Sequence, residues 1–391
     1  MAEAYIVAAA RTAGGRRKGR LAGVHPADLA ARVLDSLIAR TGADPALVED
    51  VILGCVSQAG EQSLNVARNA VLASKLPESV PAVSIDRQCG SSQQALHFAV
   101  QAVMSGTQDV VIAAGVEHMT RVPMFSPSLL AEQAGMGGAY RAQGIAERYP
   151  DIQFSQFIGA EMMARKYALT KDALDAYALD SHRKAAAAIA AGAFEAEIAP
   201  VQVILPDGTP ALHTVDEGVR ADATLEAIAG VKPIQEGGLL TAATASQICD
   251  GASGVMVVNA NGLKALGVEP LAGVRHISVI GHDPVIMLEA PIPATERALG
   301  KAGLSIDDID LFEVNEAFAS VPLAWLQATG ADPARLNVNG GSIALGHPLG
   351  GTGTKLMATL VHALKARGKR YGLQTMCEGG GLANVTIVER L

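Results

Sequence analysis

The chain has 391 residues and a formal net charge of −8; 49% of its residues are hydrophobic but only 4% are aromatic. That length exceeds one compact core, so two or three domains are expected, and 41 glycines beside abundant alanine suit close helix–sheet contact in an α/β protein better than an all-β sandwich. The negative charge excludes a general nucleic-acid binder, which needs a basic field to collect phosphates, whereas an anionic small ligand requires only a local basic cluster.

The opening MAEAYIVAAARTAGG is too polar for a secretory signal, and no run approaches the roughly 18 apolar residues of a membrane span. Four scattered cysteines show neither metal-ligand spacing nor a disulfide framework, so a soluble, reducing, cytoplasmic setting without a metal is expected.

In chain order, a helical pattern over Ala31, Val33, Leu34, Leu37 and Ile38 runs into Gly42. An acidic turn ends at Glu49-Asp50, and the strand-like Val51-Ile52-Leu53 follows. The turn DRQCGSS then opens a small-residue helix with Cys89 at its start, and a strong strand runs from Asp109 to Gly115. From Met119 to roughly Gln247, short helices mix with Pro, Gly and polar turns. One amphipathic helix lies near Lys171 to Ala191 and strand signals are few, which reads as a long insertion. Strand-like runs resume at Gly254–Val258 and Ala272–Val274.

The earlier order then returns, offset by roughly 260 residues: a helix from Thr295 to Ala302, Gly303, Asp307-Asp308 and the strand Leu311-Phe312. A second Gly-rich turn, NGGSIALGHPLGGTGTK, sets His347 before another small-residue helix, and a strand from Tyr371 to Met376 delivers Cys377 to three glycines. The expected organisation is two similar halves, 1–118 and 268–391, with 250–267 returning to the first and 119–249 inserted between them.

Several of these residues can carry chemistry. A thiol at the start of a helix, as Cys89 is, sits near the positive end of the dipole, which favours the thiolate. The alternative is a buried cysteine used as a small hydrophobe, and the polar approach Asp86-Arg87-Gln88 counts against that. At Cys377 the following glycines let backbone N–H groups converge, as an oxyanion hole requires, although an ordinary strand-end turn reads the same way. The glycines around His347 fit neither a phosphate loop, because Thr354 precedes Lys355, nor the dinucleotide fingerprint, because Leu356 stands at its third glycine. Asn315-Glu316 follows a strand, where α/β folds place ligand chemistry, and a helix cap is the plain alternative for Asn315.

Taken together, QCGSS at Cys89, NEAFA from Asn315, GHP at His347 and CEGGG from Cys377 resemble the thiolase family in order and separation, over essentially the whole chain. The resemblance implies a five-layered α/β fold, αβαβα, built from two repeated mixed-sheet halves with an inserted loop domain over the substrate. It implies an acyl-CoA C-acyltransferase with ping-pong kinetics, cleaving 3-ketoacyl-CoA with CoA or running the reverse condensation. Cys89 would accept the acyl group and His347 would activate it and bind a thioester oxygen. Asn315 would hold a water of that first oxyanion hole, with Glu316 orienting the water or the Cys377 side. Cys377 would be the second acid/base, and the N–H groups of Cys89 and Gly379 would form the second oxyanion hole. Ser246 would contact pantetheine and Arg220 the nucleotide end of CoA, a substrate rather than a resident cofactor. At least a homodimer, or a homotetramer, is implied, without nucleic acid or membrane.

Departures concern the substrate. Phe157-Ile158-Gly159 stands where short-chain members often carry His-Met-Gly, and Glu378 stands where an apolar residue is common; both suit a longer or bulkier acyl chain. Cys55 and Cys249 read as structural, and His182-Arg183-Lys184 as a solvated helix face. A papain-like peptidase fails on the order of Asn315 and His347, and a ketosynthase would lack the second cysteine. A thiolase-like protein that binds acyl-CoA or a partner without turnover would have lost one of these groups.

Overall fold

A computed structural model describes residues 3–391. Its strands, in chain order, are β1 (Tyr5–Arg11), β2 (Gly15–Arg16), β3 (Asp50–Gly54), β4 (Ala82–Ile85), β5 (Val110–His118), β6 (Val201–Ile204), β7 (Pro210–His213), β8 (Cys249–Val258), β9 (Ala272–Gly281), β10 (Leu311–Val314), β11 (Tyr371–Glu378) and β12 (Leu382–Arg390). Ten of them form one mixed sheet in the order β10-β11-β12-β9-β1-β8-β5-β3-β4, with β2 attached to β8.

Read outward from its centre, this sheet contains the same pattern twice. One half runs β1, β8, β5, β3 and the other β9, β12, β11, β10, and the two meet where β1 pairs with β9. Each half has an antiparallel pair, β5 with β8 and β11 with β12, and an outer parallel pair, β3 with β5 and β10 with β11. The counterpart of β4 is reduced to one parallel bridge between Phe312 and Leu336. The halves part company at one connection. β11 turns straight into β12 through Gly379–Gly381, with Gly380 and Gly381 at φ 84 and 76, whereas the chain between β5 and β8 spans residues 119–248.

Strands and helices alternate in five layers because each sheet half is covered on both faces. Ile6, Ile52, Val111 and Val257 share a central core with Leu96 and Val100 of the helix Ser91–Ser105 and Met357 and Leu360 of the helix Thr352–Ala366. Leu29, Val33, Leu34 and Leu37 of the helix Pro26–Thr41 cover the outer face of the first half. Trp325, Ala294 and Met163, from three further helices, cover the second. A strand covered on both faces needs apolar residues at every position rather than alternate ones, which is why Val110–Gly115 is a continuous apolar run.

The two central helices lie so close that side chains are excluded between their first turns. A Cβ placed on Gly353 would sit 2.1 Å from Gln93 N, and the turn before that helix packs as tightly on β5, where a Cβ on Gly115 would sit 2.3 Å from Gly350 O. This contact brings the turn before each helix to one place.

The insertion contains the helices Gln156–Lys166 and Lys171–Ala190 and a hairpin of β6 with β7. The hairpin was not expected from sequence, although Asp207-Gly208, with Gly208 at φ 83, is the dipeptide that such turns favour. Four-residue strands give too short an alternation to stand out. No helix among the described residues is long and apolar enough to cross a membrane.

Candidate active site

Cys89 ends a tight turn in which Gln88, a non-glycine residue, takes φ 49. Ser91 locks the turn: its Oγ donates to Gln88 O at 2.6 Å and accepts from Arg87 N at 2.9 Å. Glu378 closes the site from the other side, with its carboxyl so near Gly90 that a Cβ there would fall 1.8 Å from Oε1. Burial pushes the Cys89 thiol up to about 12, and negative charge on Glu378 would add to the rise. The helix dipole that the sequence points to therefore does not leave a resting thiolate; desolvation outweighs it.

Cys377 sits fully buried near the end of β11. Burial raises its thiol well above the ordinary thiol range and the neighbouring Cys89 raises it further, so the two sulfurs share one site. Glu378 itself is buried with neither carboxyl oxygen hydrogen-bonded, and burial raises it well above the carboxylate range. Gly379 lines the same cavity as Cys89 and packs against Gln88, whose Oε1 would be 3.0 Å from a Cβ at that position.

His347 is held in one tautomer. Thr352 Oγ1 spends its only proton on Pro348 O at 2.8 Å, so it accepts from His347 Nδ1, 2.6 Å away. Nδ1 therefore carries the ring hydrogen and Nε2 has the free lone pair, 3.5 Å from Asn315 Nδ2. Burial, and then the positive charge of Lys355, lower the imidazole to about 3, which keeps it neutral. Asn315 is oriented in turn by Ser342 Oγ, which donates to its Oδ1 at 2.6 Å.

The Glu316 carboxylate is fully taken up by protein donors away from the reacting groups. It accepts from Tyr177 Oη at 2.9 Å, Asn337 Nδ2 at 3.0 Å, Ser181 Oγ at 2.7 Å and Ile343 N at 3.0 Å. It is a buried knot tying the helix Lys171–Ala190 to the loop before His347, and the role expected for it is corrected accordingly.

Ser246 is half-buried beside the Asn315 segment, with its N–H on Ala317 O at 2.9 Å. Arg220 is exposed, and its N–H donates to His182 Nδ1 at 3.2 Å. His182 is buried and lowered to about 4 by desolvation and the Arg220 charge, so the run 182–184 is not a solvated face: Arg183 alone is exposed, and half-buried Lys184 donates to Leu336 O.

The sequence reading missed Thr352, Lys355 and Gln247. Lys355 Nζ donates to Leu345 O at 2.7 Å and Gly346 O at 2.6 Å, and Gln247 Nε2 donates to Ile343 O at 2.7 Å. A hydroxyl and a lysine one turn into a helix behind a Gly-rich loop were the available signals.

Cys89 opens onto a cavity of about 790 Å³ whose walls come largely from the insertion, including Met124, Phe125, Met136, Phe154 and Phe157. The site thus combines a neutral thiol, a neutral imidazole of fixed tautomer, a second thiol and a glycine turn, which is equipment for acyl transfer with proton movement at carbon.

The thiolase N-terminal domain family matches residues 4–261 and the thiolase C-terminal domain family matches residues 268–390. The chain is 52% identical to the steroid 3-ketoacyl-CoA thiolase FadA6 of Mycobacterium tuberculosis, covering 100% of this chain and 95% of that protein. It is 40% identical to the 3-ketoacyl-CoA thiolase of Bacillus subtilis, covering 100% of both. The crystal structure of human mitochondrial 3-ketoacyl-CoA thiolase superposes with a TM-score of 0.90 at 34% identity, over 100% of this chain and 99% of that one. The chain belongs to the thiolase family, and it is an acyl-CoA C-acyltransferase that works on CoA thioesters without a permanently bound cofactor.

Proposed function

We propose that this thiolase cleaves 3-ketoacyl-CoA thioesters that carry a bulky apolar acyl group, with Cys89 as the acyl carrier. The observation that supports the substrate is the cavity of about 790 Å³ in front of Cys89, walled by Met124, Phe125, Met136, Phe154, Phe157 and Met287. It lies in the upper range of small-molecule pockets and exceeds what an acetyl group fills. The steroid 3-ketoacyl-CoA named for the relative at 52% identity is a substrate of that kind.

The reaction follows from the side chains. His347 Nε2 takes the Cys89 thiol proton as the sulfur attacks the 3-keto carbon. The bond between C2 and C3 breaks, and the acetyl-CoA enolate collects a proton from Cys377. A thiol raised well above its ordinary range holds its proton until a carbanion demands it, which suits the cleavage direction. The enolate oxygen, formerly that of the substrate's thioester, is met by His347 Nε2, a donor once it has taken the thiol proton, and by a water held by Asn315. The N–H groups of Cys89 and Gly379 stabilise the tetrahedral oxyanion on the carbon bound to Cys89 Sγ. CoA then enters with its pantetheine along Ser246 and its nucleotide end toward Arg220. The Cys377 thiolate takes the CoA thiol proton, the CoA sulfur displaces the acyl group from Cys89, and the Cys89 thiolate recovers its proton from His347.

We read the working form as a homodimer or larger in a cytoplasmic setting. β4 is a sheet edge with Val83 44% exposed, and nearby Leu64 is 90% exposed; an edge of this kind favours strand-to-strand association.

The test is loss of 3-ketoacyl-CoA absorbance on adding CoA, using acetoacetyl, medium-chain and polycyclic thioesters, with Cys89→Ala as control. Preference for the polycyclic thioester, abolished in the variant, supports the reading. Preference for acetoacetyl-CoA sinks the substrate assignment, and activity in Cys89→Ala sinks the nucleophile.

A further inference from the structure

Lys355 takes no part in the chemistry just described, yet it is buried with its charged end against the catalytic loop. Its ammonium donates to Leu345 O at 2.7 Å and Gly346 O at 2.6 Å, the two carbonyls immediately before His347. Gly346 is at φ 81 and ψ 159, a conformation open essentially to glycine alone, and a Cβ there would lie 2.6 Å from Cys249 Sγ. The loop is thus turned so that two consecutive carbonyls face inward, where they would be unsatisfied without this cation. Every other polar link of the loop is engaged: Ile343 N on Glu316, Ile343 O with Gln247, and His347 N on Gln247 O.

We infer that Lys355 is a positioning residue for the thiolase reaction, which ties down the two carbonyls before His347 and so aims its imidazole as the base. The inference rests on the proposed reading of His347 as the base for Cys89. The charged groups around Lys355 are Arg11, Asp216 and Glu197; the Cys249 thiol, pushed up to about 12 by burial, the Glu313 carboxyl, raised well above the carboxylate range, and His347 are the titratable groups within its field. Arg11 pairs with Asp216 and Glu197, and Glu197 also accepts from Thr359 Oγ1 at 3.0 Å. Two cations therefore balance two carboxylates in the buried cluster. Removing Lys355 leaves it net negative, which favours protonation of the nearby imidazole and withdraws the lone pair that the thiol needs.

The experiment measures kcat/KM for thiolysis against pH in purified wild type, Lys355→Gln, Lys355→Arg and His347→Gln, with far-UV circular dichroism to verify folding. The expected result is a wild-type profile flat on the acid side, a Gln variant slowed roughly tenfold or more, and an acid limb in that variant moved up by about one pH unit or more. The Arg variant keeps the cation and is expected to restore the wild-type limb. A Gln variant that is slower with an unmoved limb, or one as fast as wild type, overturns the inference. If the Gln variant does not fold, imidazole nitrogen shifts in wild type and Lys355→Met decide: a His347 ring titrating near the ordinary 6.5 in wild type, or at the same pH in both, overturns it, and a ring neutral well below 6.5 in wild type that titrates higher in Lys355→Met supports it. Full activity in His347→Gln would instead remove the base assignment itself, a failure separate from that of Lys355.

Discussion

Thr352→Val tests the site at the atom where its tautomer is decided. Valine matches threonine in shape, so the packing of the helix start is kept, but the acceptor 2.6 Å from His347 Nδ1 is lost. Pro348 O loses one of its two donors but keeps the Gly351 N–H at 2.9 Å. A buried N–H left without a partner costs about 1–3 kcal/mol. The imidazole escapes part of that cost by moving its proton to Nε2, where it can no longer accept from Cys89. At about 1.4 kcal/mol per tenfold, the active tautomer falls by roughly 5- to 150-fold, and kcat/KM for thiolysis falls with it. Thr352→Ser retains the hydroxyl and is expected to stay within about threefold of wild type. The assay is steady-state thiolysis at saturating and limiting 3-ketoacyl-CoA. A Val variant as fast as wild type, or a Ser variant as slow as Val, would refute the tautomer argument.

Gly90→Ala would drive a Cβ into the Glu378 carboxyl, 1.8 Å from Oε1, and is expected to remove more than about 90% of thiolysis; Gly90→Ala with Glu378→Ala should recover a measurable part. Glu378→Gln should stabilise the protein at neutral pH. The folded chain holds on this carboxyl a proton that the unfolded chain releases above about 4.5, so wild type loses stability as pH rises through that value. Denaturant midpoints of wild type and variant should converge near pH 4 and separate toward pH 7, by an amount on the order of 2 kcal/mol. A constant gap at all pH values would contradict this. Glu316→Ala strips four buried hydrogen bonds at once and should lower stability by roughly 3–5 kcal/mol, read from the denaturation midpoint. Ala131→Trp should fill part of the cavity and lower kcat/KM for polycyclic thioesters by about tenfold or more while sparing acetoacetyl-CoA; equal losses on both would speak against the cavity as the acyl site.

Much of the fold could be read along the chain because its signals are local. The helix Pro26–Thr41 carries an apolar stripe and ends at Gly42 with φ 63, and β5 is an apolar run with turns on both sides. Boundaries moved where pairing extends a strand past its apolar stretch. β8 begins at Cys249, five residues before the run at Gly254, because Cys249 pairs with Arg16, Asp250 with Gly15 and His118, and Gly251 with Glu117. The hairpin β6–β7 went unseen for the same reason: four-residue strands are defined by their partner more than by their own pattern.

At the site, glycine turns at helix and strand ends marked Cys89, His347 and Cys377 as candidates beside plain structural alternatives, and the resemblance to the thiolase family, rather than spacing alone, implied their roles and those of Asn315 and Gly379. Electrostatic state was legible in neither. Whether Cys89 rests as thiol or thiolate depends first on how deeply the fold buries it, and part of that cover is Glu378, 289 residues away in sequence and beside Gly90 in space. The tautomer of His347 depends on where the Thr352 hydroxyl spends its proton, and the neutrality of that imidazole first on its burial and then on the position of Lys355. Glu316 reads as a catalytic neighbour and is instead a structural acceptor, because Tyr177 and Ser181 come to it from the inserted segment. Backbone conformation and apolar pattern are set by near neighbours and so survive in one dimension. Desolvation and charge act through space at the range of a few ångströms, and only the folded chain brings those groups within it.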